Sequence, residues 1–270
     1  MILYGKPVVL AIEEELKKDI ASLAEINVKP FLAVILVGDN PASVLYTRKK
    51  KEKAESLGLG FRLYHFPTTM RQEDIELIIG DLNINKNVHG IIVQLPLPEG
   101  FDTNKLLANI VKEKDVDGLN DGYAPPAAGA IMELINFYNI DLKDKKVVLI
   151  GRGKLVGQPL EKILNEQNIN LTVCDSKTED LTPITMSADV IITGVGAPML
   201  IKKDMVSPQA IVIDAGTAES CGTTVGDVSP AVYSHVASFS PVPGGIGPIT
   251  VVKLLKNVVD AAKKKNQKKN

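Results

Sequence analysis

The sequence predicts two α/β domains, each a parallel sheet with helices on both faces, and three observations carry that expectation. Apolar runs of strand length alternate with helically spaced segments almost from end to end, as when strands buried on both faces are joined by helices. Gly, Asn, Asp and Pro cluster between Gly118 and Pro126 and interrupt the alternation. A fresh strand, glycine turn and helix then begin at Lys146. The expected domains are 1–122 and 123–249, the second a doubly wound sheet of its own.

Taken in order, residues 31–37 form a continuous apolar run, followed by the turn Gly38-Asp39-Asn40-Pro41 and a helix carrying Tyr46 and Lys50. Residues 61–66 read as a second strand. Residues 71–82 show helical spacing through Ile75, Leu77, Ile78, Ile79 and Leu82. A third strand, 89–95, is halted by Pro96 and Pro98. The next helix is capped near Asp102 or Thr103 and carries Leu106, Leu107 and Ile110. After the break come a helix over 127–138 and strands at 147–150, 171–174, 189–193, 210–213 and 235–239. A final amphipathic helix over 250–262 presents Val251, Val252, Leu254, Leu255, Val258 and Val259.

An apolar content of 45%, a charged content of 23% and a formal charge of −1 describe an ordinary globular chain and argue against a nucleic-acid or membrane-binding surface. The lysine-rich tail 263–270 reads as a solvated helix end. Cys174 and Cys221 form neither a disulfide framework nor a CxxC pair, and no metal site is expected. Without a leader-like N-terminus or a bilayer-length apolar stretch, a reducing cytoplasm is the expected compartment.

Two local patterns carry chemistry. Tyr46 and Lys50 stand four residues apart and therefore share a helix face, so phenol and amine can meet over one pocket. Such a pair moves protons if burial lowers the amine's pKa; a lysine-rich helix beside a tyrosine is otherwise a solvated face. Second, Val147 to Leu160 reads strand, glycine turn, helix. Gly151 permits the turn, Gly153 lets backbone approach a pyrophosphate, and the helix N-terminus faces the anion, as in a Rossmann-like domain. Its G-x-G-x-x-x-G spacing is one residue longer than the dinucleotide fingerprint. Asp175 lies 24 residues beyond Gly151 (175 − 151), near where a carboxylate accepts from an adenosine ribose and favours NAD. Arg152, Ser176 and Lys177 are suitable phosphate partners and favour NADP.

Four segments together carry a resemblance: Tyr46/Lys50, Val93-Gln94-Leu95-Pro96-Leu97-Pro98, Lys114-Asp115-Val116-Asp117-Gly118, and the run from Pro241 to Thr250. With these the chain closely resembles, over its whole length, the bifunctional methylenetetrahydrofolate dehydrogenase/methenyltetrahydrofolate cyclohydrolase family. The resemblance implies two α/β domains around a cleft, with the last helix, 250–270, packing back on the first domain. It also implies Lys50 as the key catalytic group with Tyr46 beside it, Gln94 orienting the lysine, and Asp117 holding the pterin. Pro243, Gly244 and Gly245 would line the meeting place of folate and nicotinamide. NADP is the family's usual cofactor, NAD entering through Asp175; the expected partner is a folate, and the expected assembly a homodimer.

The chain departs from that pattern in places. Gly153 replaces the usual serine, Asp175 stands where a non-acidic residue is usual, and roughly ten residues are missing between Gly118 and Pro125. Pro125 to Ile131 also lacks the family's threonine. The rival readings are a monofunctional dehydrogenase, a dehydrogenase for another substrate, or an inactive nucleotide-binding protein.

Overall fold

The structure is a computed structural model that describes residues 1–120, 122–220 and 223–267, without the side chains of residues 219 and 220. Cys221 and residues 268–270 of the basic tail lie outside the described residues. The chain divides into two compact units, Ala11–Pro126 with Val251–Asn270, and Met1–Leu10 with Ala127–Thr250.

The three-stranded unit is built on β1 (Phe31–Val37), β2 (Gly60–Phe66) and β3 (Gly90–Val93), all parallel in the order β2-β1-β3. Central β1 is buried along almost its whole length, which is why it reads as an unbroken apolar run; edge strand β2 alternates and is more exposed. The helices of this stretch are α1 (Gly5–Glu25), α2 (Pro41–Ser56), α3 (Gln72–Ile84) and α4 (Thr103–Ala108). Ile75, Ile79 and Leu82 of α3 and Leu106 of α4 close over Ala33, Ile35 and Val37 of β1 and Ile91 and Val93 of β3. Asp102 is the N-cap of α4, its side chain accepting from the Lys105 N–H. Buried Lys114 ends α3: its Nζ donates to the Leu82 and Asn85 carbonyls at 2.6 and 2.7 Å, a cation on the helix's negative end. Desolvation by burial, then the Lys265 charge, bring its pKa down to about 8.

The five-stranded unit contains α5 (Pro126–Phe137), β4 (Val147–Ile150), α6 (Gly157–Glu166), β5 (Leu171–Cys174), α7 (Thr182–Met186), β6 (Val190–Thr193) and β7 (Ile211–Asp214). A hairpin, β8 (Ala218–Ser220) with β9 (Thr223–Val225), and the edge strand β10 (Ser238–Phe239) complete it; α8 (Ile246–Gln267) follows. The sheet is parallel in the order β10-β7-β6-β4-β5. Strand order reverses between β4 and β6, and in doubly wound sheets ligands bind at the carboxyl ends of the strands flanking such a reversal. The N-terminal residues extend this sheet: Ile2 bridges Phe239 in parallel, and the Leu3 N–H donates to the Phe239 carbonyl at 2.8 Å.

Several expected elements change. Helices over 5–25 and 182–186 and the β8–β9 hairpin add to the elements the sequence predicts. The strand expected over 235–239 shrinks to β10, because Val232 to Val236 turn on themselves through His235 and Val236 N–H bonds to the Val232 carbonyl. The last helix begins at Ile246 rather than residue 250, since Pro248 in a first helical turn removes no intrahelical bond.

Candidate active site

The turn after β1 starts with Gly38 at φ +75° and passes to Asn40, whose side chain accepts the Ser43 N–H at 3.0 Å. With Pro41 opening the helix, these residues fix the start of α2 at the sheet's carboxyl edge. Three turns on stands half-buried Lys50. Its Nζ donates to Gln94 Oε1 at 2.9 Å.

Gln94 lies one residue past β3. Its backbone N–H donates to the Ile35 carbonyl at 2.8 Å, so the β1 ladder sets its height at the sheet edge. Its Nε2 donates to the Leu95 carbonyl at 2.8 Å, which turns the amide oxygen toward the lysine. The Ser43 hydroxyl reaches the same carbonyl at 3.4 Å. An amide pinned at both ends is a rigid acceptor, suited to aiming an amine.

Asp117 follows a loop organised by its buried neighbour Asp115, whose carboxylate accepts the N–H groups of Leu119, Asn120 and Gly122. The Val116 carbonyl accepts from the Asn257 amide of α8 at 2.8 Å, fixing the loop from behind. Burial raises the Asp117 pKa, partly offset by the Lys50 charge, with Asp115 adding a smaller raise. Burial likewise lowers the Lys50 pKa, and Asp117 opposes that drop. The result is an amine biased toward its neutral form beside a carboxyl biased toward its protonated form, the setting of a proton-transfer group. Lys50, Gln94 and Asp117 are thus brought together from three separate stretches of one unit.

Tyr46 is half-buried on the same helix, but its hydroxyl makes no hydrogen bond to Lys50; the Lys49 ammonium lies 5.5 Å from its ring centre. Helical spacing puts phenol and amine on one side, yet Lys50 leans toward Gln94.

The five-stranded unit holds the second set. Gly151, at φ +103°, donates its N–H to the Cys174 carbonyl at 2.8 Å where β4 passes into the turn. A Cβ on Gly157 would lie 2.1 Å from the Gly151 carbonyl oxygen, so only glycine lets α6 start this close to the strand. A Cβ on Gly153 would meet nothing, leaving open space over the turn. The α6 N-cap, Val156, supplies no side-chain bond, so the first N–H groups of the helix have no capping side chain. The Gln158 N–H already donates to the Gly153 carbonyl at 3.1 Å and Pro159 has none, so it is the open backbone of the turn and the Gly157 N–H that fit the phosphates of a dinucleotide.

Around that turn, Arg152 Nε and Nη2 donate to Glu161 at 2.9 and 2.7 Å, a two-point pair that holds the guanidinium's pKa up and the carboxyl's down. Asp175 directly follows β5 and accepts the Lys177 N–H at 2.9 Å; Ser176 and Lys177 are exposed. Pro243 to Gly245 belong to the same unit. The Gly244 carbonyl accepts the Gly5 N–H at 2.8 Å, and a Cβ on Gly245 would approach the Pro241 carbonyl to 2.6 Å, so packing within the unit itself demands glycine at 245.

Sequence reasoning missed Glu161 and a buried carboxylate pair, Asp214 and Asp227. Asp227 accepts from the Thr193 hydroxyl and the Val195 and Ala197 N–H groups, and Asp214 from the Gly216, Asp227 and Val228 N–H groups. Together they tie down the loops that follow β6 and β7. The one available signal was Val225-Gly226-Asp227-Val228, which marks a segment but not its partner.

Comparison with known proteins agrees with this geometry. A model of the tetrahydrofolate dehydrogenase/cyclohydrolase catalytic domain matches residues 3–117, and one of that family's NAD(P)-binding domain matches residues 125–266. Bifunctional protein FolD 2 of Desulfitobacterium hafniense is 40% identical over 270 residues, covering 96% of this chain and 95% of that protein. The crystal structure of the bifunctional methylenetetrahydrofolate dehydrogenase/cyclohydrolase FolD of Campylobacter jejuni superposes with TM-score 0.92 at 37% identity, covering 98% of this chain and 99% of that one. The Trypanosoma brucei enzyme, solved with NADP cofactor and inhibitor, gives TM-score 0.92 at 32% identity over 98% of this chain and 97% of its own. Matched along both of its units, this chain belongs to the tetrahydrofolate dehydrogenase/cyclohydrolase family.

Proposed function

We propose that the chain oxidises 5,10-methylenetetrahydrofolate to 5,10-methenyltetrahydrofolate with NAD(P)+ and then hydrolyses the product to 10-formyltetrahydrofolate. The observation that carries the reading is the Lys50 amine, held by Gln94, faced by Asp117 and driven by burial toward its neutral form. When bound, the nicotinamide supplies the hydride acceptor for the first reaction. Gly151, Gly153 and the Gly157 start of α6 would hold the pyrophosphate, while Arg152, Asp175, Ser176 and Lys177 would surround the adenosine end. Asp117 grips the pterin, whose pyrimidine edge offers adjacent N–H donors to a carboxylate. Pro243, Gly244 and Gly245 line the substrate's path.

In the hydrolysis, neutral Lys50 takes a proton from the water that attacks the methenyl carbon. The ammonium, steadied by Gln94 Oε1, returns that proton to the ring nitrogen as the carbon–nitrogen bond opens, while the remaining hydroxyl proton of the tetrahedral adduct passes to solvent and the formyl C=O forms, so that one proton is released overall. Tyr46 stands beside this path. Among the described residues no helix is long and apolar enough to cross a membrane. We further take the protein to be a cytoplasmic homodimer, the family's habit; light scattering of the purified protein checks the assembly.

The test follows reduced nucleotide and methenyl absorbance on purified protein given 5,10-methylenetetrahydrofolate. Both signals appear and the methenyl signal then decays. Lys50→Met slows the decay by about 100-fold or more while leaving nucleotide affinity within about twofold. Undiminished hydrolysis in that variant removes Lys50 from the mechanism.

A further inference from the structure

Around the glycine turn the structure sets two acids against the cation best placed to receive a phosphate. Arg152 leaves the turn immediately after Gly151 and is the guanidinium nearest the open backbone. Yet its Nε and Nη2 already donate to both Glu161 oxygens, at 2.9 and 2.7 Å. The Glu161 side chain is only 19% exposed, so the pair is anchored on the α6 side while the Arg152 side chain remains 55% exposed. At the end of the neighbouring strand the Asp175 carboxylate is fixed by the Lys177 N–H, and its negative charge acts on the same guanidinium.

We infer that Glu161 sets the nucleotide preference of this chain: by occupying Arg152 it leaves the Asp175 carboxylate to meet the adenosine ribose, favouring NAD+ over NADP+. The inference rests on the reading of the Gly151 turn as a nicotinamide-dinucleotide site. An adenosine 2′-phosphate placed there faces two carboxylates and a guanidinium whose strongest two-point partner is already Glu161. A free 2′-hydroxyl instead donates to Asp175. Lys154 and Lys177 border the turn and attract phosphate, but both are exposed, where water and salt weaken a single charge.

The experiment is calorimetric titration without folate, so that no turnover is needed, using NAD+, NADP+, AMP and 2′,5′-ADP. Wild type binds NAD+ at least about tenfold tighter than NADP+, and AMP tighter than 2′,5′-ADP. Glu161→Gln keeps the side chain's shape, releases the guanidinium and tightens NADP+ and 2′,5′-ADP about tenfold, with NAD+ changed less than about threefold. Adding Arg152→Ala to that variant abolishes the gain. Adding Asp175→Ser instead carries the preference over to NADP+. Circular dichroism confirms that each variant is folded. Equal or tighter NADP+ binding by wild type, or an unchanged ratio in Glu161→Gln, overturns the assignment of Glu161 while leaving the dinucleotide site standing. Binding of neither nucleotide overturns the dinucleotide reading, and this inference with it.

Discussion

Lys50 is pulled in opposite directions. Burial lowers its pKa and the Asp117 carboxylate raises it, burial being the larger effect. If the neutral amine is the base, hydrolysis rises with pH through that lowered pKa, and each neighbour moves the limb with a calculable sign. Asp117→Asn removes the charge that favours the ammonium, so the limb shifts to lower pH. Gln94→Glu puts a carboxylate against the ammonium and shifts it to higher pH. Shifts of about one pH unit are expected of a single close charge. A pH–rate profile of methenyl decay measures both, and limbs that stay put or move together deny that this amine is the titrating base. At this scale the sequence was informative where chain punctuation exposes a residue. Gln94 was legible because prolines stop its strand just beyond it. Tyr46 shares a helix face with Lys50 without a hydrogen bond to it, since a shared face does not decide which way a long amine leans. Glu161 was invisible because its partner, Arg152, lies outside the helix, where no helical spacing relates the two.

The loops after β6 and β7 depend on the Asp214–Asp227 pair. Asp214 is almost fully buried, and desolvation, with a smaller push from the Asp227 charge, takes its carboxyl up to about 6 despite three backbone N–H bonds. An unfolded aspartate titrates near pH 4. From about pH 4 to 6 the unfolded chain has therefore released a proton that the folded chain still holds, and this group's contribution to stability is lost as pH rises through that window. Below pH 4 the contribution is fully present, and above 6 it is gone. Its slope is about 1.4 kcal/mol per pH unit. Asp214→Asn lowers stability at every pH, because its amide cannot accept all three N–H groups, but it flattens the slope. Urea midpoints of both proteins between pH 4 and 7 check this, and parallel curves refute it. Elements whose cores lie on their own face were legible: the unbroken run of β1 and the periodic α3 correspond closely to what the sequence predicts. Residues 5–25 were not, although Val8, Ile12 and Leu16 recur every fourth position, because the unbroken apolar run from Val8 to Ile12 suits a buried strand as well as a helix. The hairpin escaped notice because its strands are only three residues each, too short for a periodic pattern.

Over the whole molecule, alternation of apolar runs sufficed to announce two α/β units with parallel sheets. It gave no sign that the first residues of the chain complete a sheet formed more than 200 positions later. Periodicity reports which face of a segment is buried, not which sheet edge a terminal segment joins. Strand β10 has only two paired residues on β7, and its ladder is reinforced by bonds between Met1–Leu3 and Phe239. Leu3 is fully buried there. Leu3→Ala removes a packed side chain at the weakest edge of the five-stranded unit and costs about 2–4 kcal/mol. Because the loss is confined to one compact unit, hydrogen exchange should quicken in β7 and β10 while β1 of the other unit keeps its protection. Saturating nucleotide should restore part of that protection, since ligand bound only to the folded unit adds stability in proportion to the logarithm of its concentration over Kd. Equal acceleration in β1 and β10 would mean that the two units open as one cooperative body, and that the N-terminal segment stabilises the whole chain rather than one sheet.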